Sequence, residues 1–160
     1  MKYKTKIGEL DVPDEEVLFF PFGIPGFDRL KKYALFSVPD SHPVQWLLSL
    51  EEEKVSFPLI DPWSIRSDYA FELPKIAVEV LGIEEKTQIM VLCILRIPQS
   101  NPQGMTVNFL APLIINLQNL MGVQIVLENS PYSIRHNVAE EVVNQQKEKE
   151  KGEADAGTES

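Results

Sequence analysis

The chain reads as a mainly β, single-domain protein with one short internal helix and a second helix near its C-terminus. Three observations predict this. Short apolar runs recur with period-two alternation, the mark of half-buried strands. Twelve prolines and eight glycines fall mostly between those runs and act as punctuation. Only two stretches carry helix start or stop signals. At 160 residues the chain has the size of one ordinary domain, able to bury roughly 70% of its unfolded surface without a staple.

Taken in order, Tyr3, Thr5 and Ile7 alternate with Lys2, Lys4 and Lys6, which predicts a strand with a charged outer face. Gly8 and then Asp11 to Asp14 predict a turn, and Val17 to Phe20 a second strand. Phe20 to Phe27 holds two prolines and two glycines in eight residues and is no regular element. Pro25-Gly26 suits a type II turn, and Phe20, Phe22, Ile24 and Phe27 are expected to pin this loop to the core. Tyr33 to Val38 and Val44 to Leu50 are strands, the latter with Val44, Trp46, Leu48 and Leu50 on one face. Val55 to Ile60 is a strand interrupted by Pro58, which predicts an edge or a bulge. Asp68 to Leu73 alternates, with Tyr69, Phe71 and Leu73 inward and Asp68, Ala70 and Glu72 outward, and reads as another strand.

Pro74 to Leu81 is the internal helix, with proline at its start and Gly82 at the expected C-terminal cap. Gln88 to Ile97 is apolar on both faces and predicts a central strand covered on both sides. The stretch Val107 to Leu127 organises the rest. Its first part, to Asn116, is extended and kinked at Pro112; its second, Gly122 to Leu127, is a strand with Val123, Ile125 and Leu127 on one face. Asn108 and Asn116 are expected to satisfy backbone groups that the proline leaves unpaired. Tyr132 and Ile134 end a strand, and Asn137 is an N-cap with Glu140 in capping-box register. The expected division is a β domain over 1–135, the C-terminal helix over 136–150 and a disordered charged tail over 151–160.

The composition excludes several classes of function. A net charge of −9 and a pI of about 4.7 argue against direct nucleic-acid binding, which demands a basic face, and favour a basic partner. Cys93, the single cysteine, lies in an apolar run and is expected to be buried and inert, which suits a reducing cytosol and a cytoplasmic location. The first residues lack a signal-peptide core, and no apolar run reaches membrane-spanning length. No nucleophile elbow, phosphate loop or metal-ligand spacing is present, so neither an enzyme nor a cofactor is expected.

Several motifs in order carry a resemblance. Gly23-Ile-Pro-Gly-Phe27 is followed by Trp46-Leu-Leu-Ser-Leu50, Phe57 with Asp61-Pro62, and Tyr69-Ala-Phe71. Asn108-Phe-Leu-Ala-Pro-Leu-Ile-Ile-Asn116, Gly122-Val-Gln-Ile-Val-Leu127 and Tyr132 complete the set. Over about residues 1 to 135 the chain resembles FliW, a bacterial flagellar assembly factor family, with Phe109 where that family more often shows leucine. The resemblance implies a small antiparallel β-barrel-like fold and a binding function. It implies two partners, the RNA-binding translational repressor CsrA, antagonised away from its RNA-contact surface, and flagellin, which competes for the same antagonist. Candidate contact residues are Asp68, Ala70 and Glu72, with Met121 from the neighbouring region and Glu140 and Glu141 on the C-terminal helix. Two rivals are a small-ligand-binding β-barrel of unrelated role, marked by a roomy pocket, and an oligonucleotide-binding barrel, marked by aromatics among Lys and Arg.

Overall fold

A computed structural model describes the backbone of residues 1–158 and the side chains of residues 1–151. Eleven strands form among the described residues: β1 (Lys2–Thr5), β2 (Gly8–Asp11), β3 (Leu18–Phe19), β4 (Lys32–Ser37), β5 (Gln45–Ser49), β6 (Ser56–Ile60), β7 (Ile89–Arg96), β8 (Thr106–Val107), β9 (Leu113–Asn116), β10 (Met121–Gln124) and β11 (His136–Asn137). Two α-helices accompany them, α1 (Lys75–Leu81) and α2 (Val138–Thr158).

Neighbouring strands run β7-β6-β5-β4-β3-β10-β9, and β9 returns to pair with β7, which closes a seven-stranded barrel. Every pairing is antiparallel except one: β3 meets β10 in parallel through the single pair Phe19 and Met121. β7 is long enough to serve three neighbours, with its first half against β9, its last residues against β8, and β6 on its other side.

Alternation sorts the side chains into layers. Leu18, Tyr33, Leu47, Leu59, Leu92, Leu113 and Ile115 point into the barrel, joined by Phe20 and Ile24 from the loop after β3. The opposite faces of β6, β7, β9 and β10 carry Ile60, Val91, Cys93, Leu95, Ile114 and Val123, which α1 and the 61–73 connector cover. The β1–β2 hairpin covers a third region around Val12, Ala34 and Leu50. β7 is thus apolar on both faces because both are buried, as its sequence predicts.

Gly82 takes φ 64, the left-handed cap that ends α1, and Gly26 takes φ 88 in its turn. Some expectations need correction. The turn expected at Gly8 falls instead at Lys6 and Ile7, so the first strand stops at Thr5 and Gly8 opens strand β2, which runs to Asp11. Phe20 and Ile24 are buried and Phe27 packs edge-on against Phe57 with ring centres 5.3 Å apart, as expected, but Phe22 is 59% exposed and does not pin the loop. Pro58 lies within a strand that has neighbours on both sides. It is tolerated because β6 meets β7 only at Leu59 and Ile60, so the missing N–H falls where β6 still has one neighbour. Tyr132 lies in a loop, not at a strand end. The segment from 151, expected to be disordered, carries helical backbone to Thr158, continuing α2 from the Gln-, Lys- and Glu-rich run at 145–151; residues 159 and 160 lie outside the described residues.

Candidate partner-binding surface

The connector between β6 and α1 begins with a single 3-10 turn, Pro62–Ser64, which Asp61 caps by accepting the Trp63 N–H at 2.9 Å. The chain then turns at Ser67 and Asp68, with the Tyr69 N–H donating to the Arg66 carbonyl at 3.1 Å, and continues without helix or strand to Leu73. Tyr69 is buried, Phe71 and Leu73 are half-buried, and Asp68, Ala70 and Glu72 are exposed, so the alternation predicted for this stretch holds. The strand does not. Among the described residues no strand pairs with it; beyond the Tyr69 N–H turn bond, side chains satisfy its backbone. The Trp63 indole donates to the Tyr69 carbonyl at 2.6 Å. Ala70 donates to the Tyr132 hydroxyl at 3.0 Å, and that hydroxyl donates back to the Ala70 carbonyl at 3.3 Å. The Tyr69 hydroxyl donates to the Phe109 carbonyl at 2.7 Å, which anchors the connector to the barrel wall. Burial holds the Tyr69 hydroxyl well above the usual phenol range.

Arg66 ties this connector to α2. Its Nε lies 3.2 Å from Asp68 and its Nη1 3.7 Å from Glu141, while the guanidinium sits 5.1 Å from the Tyr132 ring centre and 5.9 Å from that of Phe109. Glu141 also meets His136 Nδ1 at 3.2 Å. The Ser133 amide donates to His136 Nε2 at 2.8 Å, so the ring proton resides on Nδ1 and Glu141 accepts it. Ser67 N–H donates to Gln145 Oε1 at 2.6 Å, one helical turn beyond Glu141. Asn137 caps α2 by accepting the Glu140 N–H at 2.9 Å, as the capping pattern predicts.

Asp68 and Glu141, predicted separately, therefore converge on one arginine. Ala70 and Glu72 share the connector with Asp68, and Glu72 borders a shallow depression with Val126 and Glu128. Glu140 stands apart on an exposed side of α2, near Val143 and Lys147. Met121 sits on β10, opposite Asn116 and beside Phe19. Arg66 and His136 escaped the sequence reading, and Tyr132 and Gln145 entered it without these contacts. Their partners lie up to 78 positions away, as between Ser67 and Gln145, and no local spacing signals them.

The barrel interior is filled by Phe20, Tyr33, Leu47, Leu59 and Leu113, all fully buried, and this opposes a small-ligand pocket behind the Trp46 and Phe57 strands. Cys93 is buried, and burial pushes its thiol up to about 12, so it stays a thiol at neutral pH. Among the described residues, no group of three or more His, Cys, Asp or Glu is placed to hold a metal ion, and no helix is long and apolar enough to cross a membrane.

Comparison with known proteins places this architecture. A family model described as FliW protein matches residues 2–138. The chain belongs to the FliW family. A FliW relative from Pseudothermotoga lettingae, named a flagellar assembly factor, is 44% identical over 142 residues, which span 89% of this chain and 90% of the relative. Another FliW of the same description, from Thermotoga maritima, is 40% identical over 142 residues, covering 89% and 95% of the two chains. A crystal structure of the flagellar assembly factor FliW matches with a TM-score of 0.80 at 29% identity, over 86% of this chain and 96% of that one. The FliW match includes Asp68, Ala70, Glu72 and Met121; Glu140 and Glu141 lie just beyond it.

Proposed function

We propose that this FliW-family chain is a cytoplasmic flagellar assembly factor that binds the translational repressor CsrA and relieves its repression of flagellin mRNA. Flagellin is the second partner. When it accumulates, it occupies the chain and releases CsrA; when it is exported, the chain returns to CsrA. Mutually exclusive occupancy of this kind acts through differential affinity and needs no covalent chemistry, cofactor or contact with nucleic acid.

The observation that supports this reading is the exposed acidic connector at Asp68, Ala70 and Glu72, held in one conformation by the Tyr69 and Tyr132 hydroxyls. A preorganised surface loses little entropy on binding, and negative charge accelerates encounter with a basic RNA-binding protein. The antagonism is read as acting away from the RNA-contact surface of CsrA, so that charge steers the approach without mimicking RNA. Glu141 belongs to the same surface through Arg66; Met121 and Glu140 are peripheral contacts.

Calorimetric titration with purified CsrA and with purified flagellin, followed by displacement of each by the other, tests the proposal. Binding of both with mutual displacement is expected, and Asp68→Lys with Glu72→Lys should weaken CsrA binding by roughly tenfold through reversed steering. Unchanged CsrA affinity in that double variant would refute the placement. Failure to bind either protein would refute the function.

A further inference from the structure

A second surface lies apart from the Arg66 cluster. Ile76, Ala77 and Val80 of α1, Phe22 of the loop after β3, and the segment Val123–Val126 line a groove of about 420 Å³. Ile76 is 65% exposed, Phe22 59% and Val126 56%, three large apolar side chains gathered on one groove. Each leaves apolar surface in water that a partner can cover.

The backbone beside them is also open. Ile125 donates to the Pro112 carbonyl at 3.0 Å and Leu127 to that of Leu110 at 2.8 Å, so odd-numbered amides of this segment face β9. The amides of Gln124 and Val126 face the other way, past the point where β3 ends, and neither has a hydrogen-bond partner among the described residues. An unpaired strand edge is a template for another strand. Charge narrows the choice of occupant. Glu128 borders both this groove and the adjoining depression, and Glu72 borders the depression, while the chain carries a net charge of −9.

We propose that this groove binds an extended segment of a partner protein, apolar at alternate positions and flanked by lysine or arginine, by strand addition at Gln124–Val126. Apolar side chains of the segment pack on Ile76, Val80 and Phe22, its backbone pairs with the two open amides, and its flanking cations meet Glu72 and Glu128. A second copy of this chain is disfavoured by the same acids, which repel their own kind.

The probe is a fluorescein-labelled peptide, Lys-Lys-Val-Thr-Val-Thr-Val-Lys-Lys, followed by fluorescence anisotropy with the folded protein. Saturable binding is expected, at least tenfold weaker for Ile76→Glu and for Glu72→Lys with Glu128→Lys, all of which should retain the parent melting curve because the altered side chains are exposed. N-methylation of alternate peptide amides should abolish binding by blocking the ladder. No saturation by about 1 mM peptide overturns the proposal. Binding that survives N-methylation but not Ile76→Glu overturns it in favour of a helix seated in the groove. Concentration-dependent dimerisation abolished by Ile76→Glu assigns the groove to a second copy. Glu72 is shared with the proposed CsrA surface, so Ile76→Glu, which alters the groove alone, separates the two: it should weaken the peptide and leave CsrA affinity at the parent value.

Discussion

The C-terminus of α1 supplies a prediction with a calculable size. A helix leaves its last carbonyls without intrahelical partners. Gly82 N–H returns to Glu79 and Ile83 N–H to Val78, but the Leu81 carbonyl is held by two asparagines of the β9–β10 hairpin. Asn116 Nδ2 donates to it at 2.7 Å and Asn119 Nδ2 at 3.0 Å. Asn116 is buried and also accepts the exposed Gln118 N–H at 2.8 Å, a bond that water can replace. Asn116→Ala therefore removes one buried bond but leaves Leu81 partnered, at a cost of about 1–2 kcal/mol. For a chain of this size that lowers the melting temperature by roughly 2–8 °C. Asn119→Ala, at an exposed position, should cost less, about 0.5–1 kcal/mol. The double variant orphans the carbonyl, so its loss should exceed the sum of the two singles by about 1 kcal/mol or more. Urea denaturation of the four proteins measures that coupling. Additivity within about 0.5 kcal/mol would show that the two amides do not share the carbonyl, and would refute the pinning of α1 to the hairpin.

Three further outcomes follow from buried groups. The Tyr33 hydroxyl inside the barrel has no hydrogen-bond partner among the described residues, so Tyr33→Phe should be neutral or stabilising by up to about 1 kcal/mol in a thermal melt; a clear loss would reveal a partner. Burial holds Cys93 and Tyr33 up to about 12, above their ordinary 9.0 and 10.0, so neither makes stability depend on pH below about 9, and folding stability falls as pH rises from those ordinary values toward 12. Each group steepens the decline by about 1.4 kcal/mol per pH unit between its two pKa values, and urea midpoints should fall less steeply in Cys93→Ala and Tyr33→Phe. Gly122→Ala places a methyl 2.5 Å from the buried Phe20 ring, which should cost about 1–3 kcal/mol by denaturation; a silent substitution would show that the ring has room to move.

The legible part of the fold came from patterns that burial alone imposes. β7 reads as doubly covered because both its faces are buried, α1 because Pro74 and Gly82 bracket it, and the start of α2 because Asn137 and Glu140 stand three apart. The connector at Asp68 to Leu73 shows the limit of the same reasoning. Alternation reports which side chains are inside; it says nothing of which groups take the backbone hydrogen bonds, and here tyrosines and an indole take them. β2, with the sequence Gly-Glu-Leu-Asp, lacks alternation because it lies on the barrel's outside, where only Leu10 packs inward. Pro58 marks an edge at its own position, as read, but says nothing of the far end of β6, which pairs with β7 at Leu59 and Ile60. At the candidate surface, the acids Asp68 and Glu141 were visible as charges, but the arginine that gathers them was not. Its role depends on a helix docked from some 75 positions downstream.

One joint of the barrel differs from the others. β3 and β10 touch through a single parallel pair, with the Phe19 amide donating to the Leu120 carbonyl at 2.9 Å, whereas β4 and β5 share five residue pairs. The ring therefore has a clasp, and thermal opening should begin there, with deuterium entering at Phe19 well before β5 or β7. The edge left free at Gln124 and Val126 begins just beyond this clasp. Whatever lies along that edge lengthens the fastening, and the whole cylinder feels a grip applied at one point of its rim.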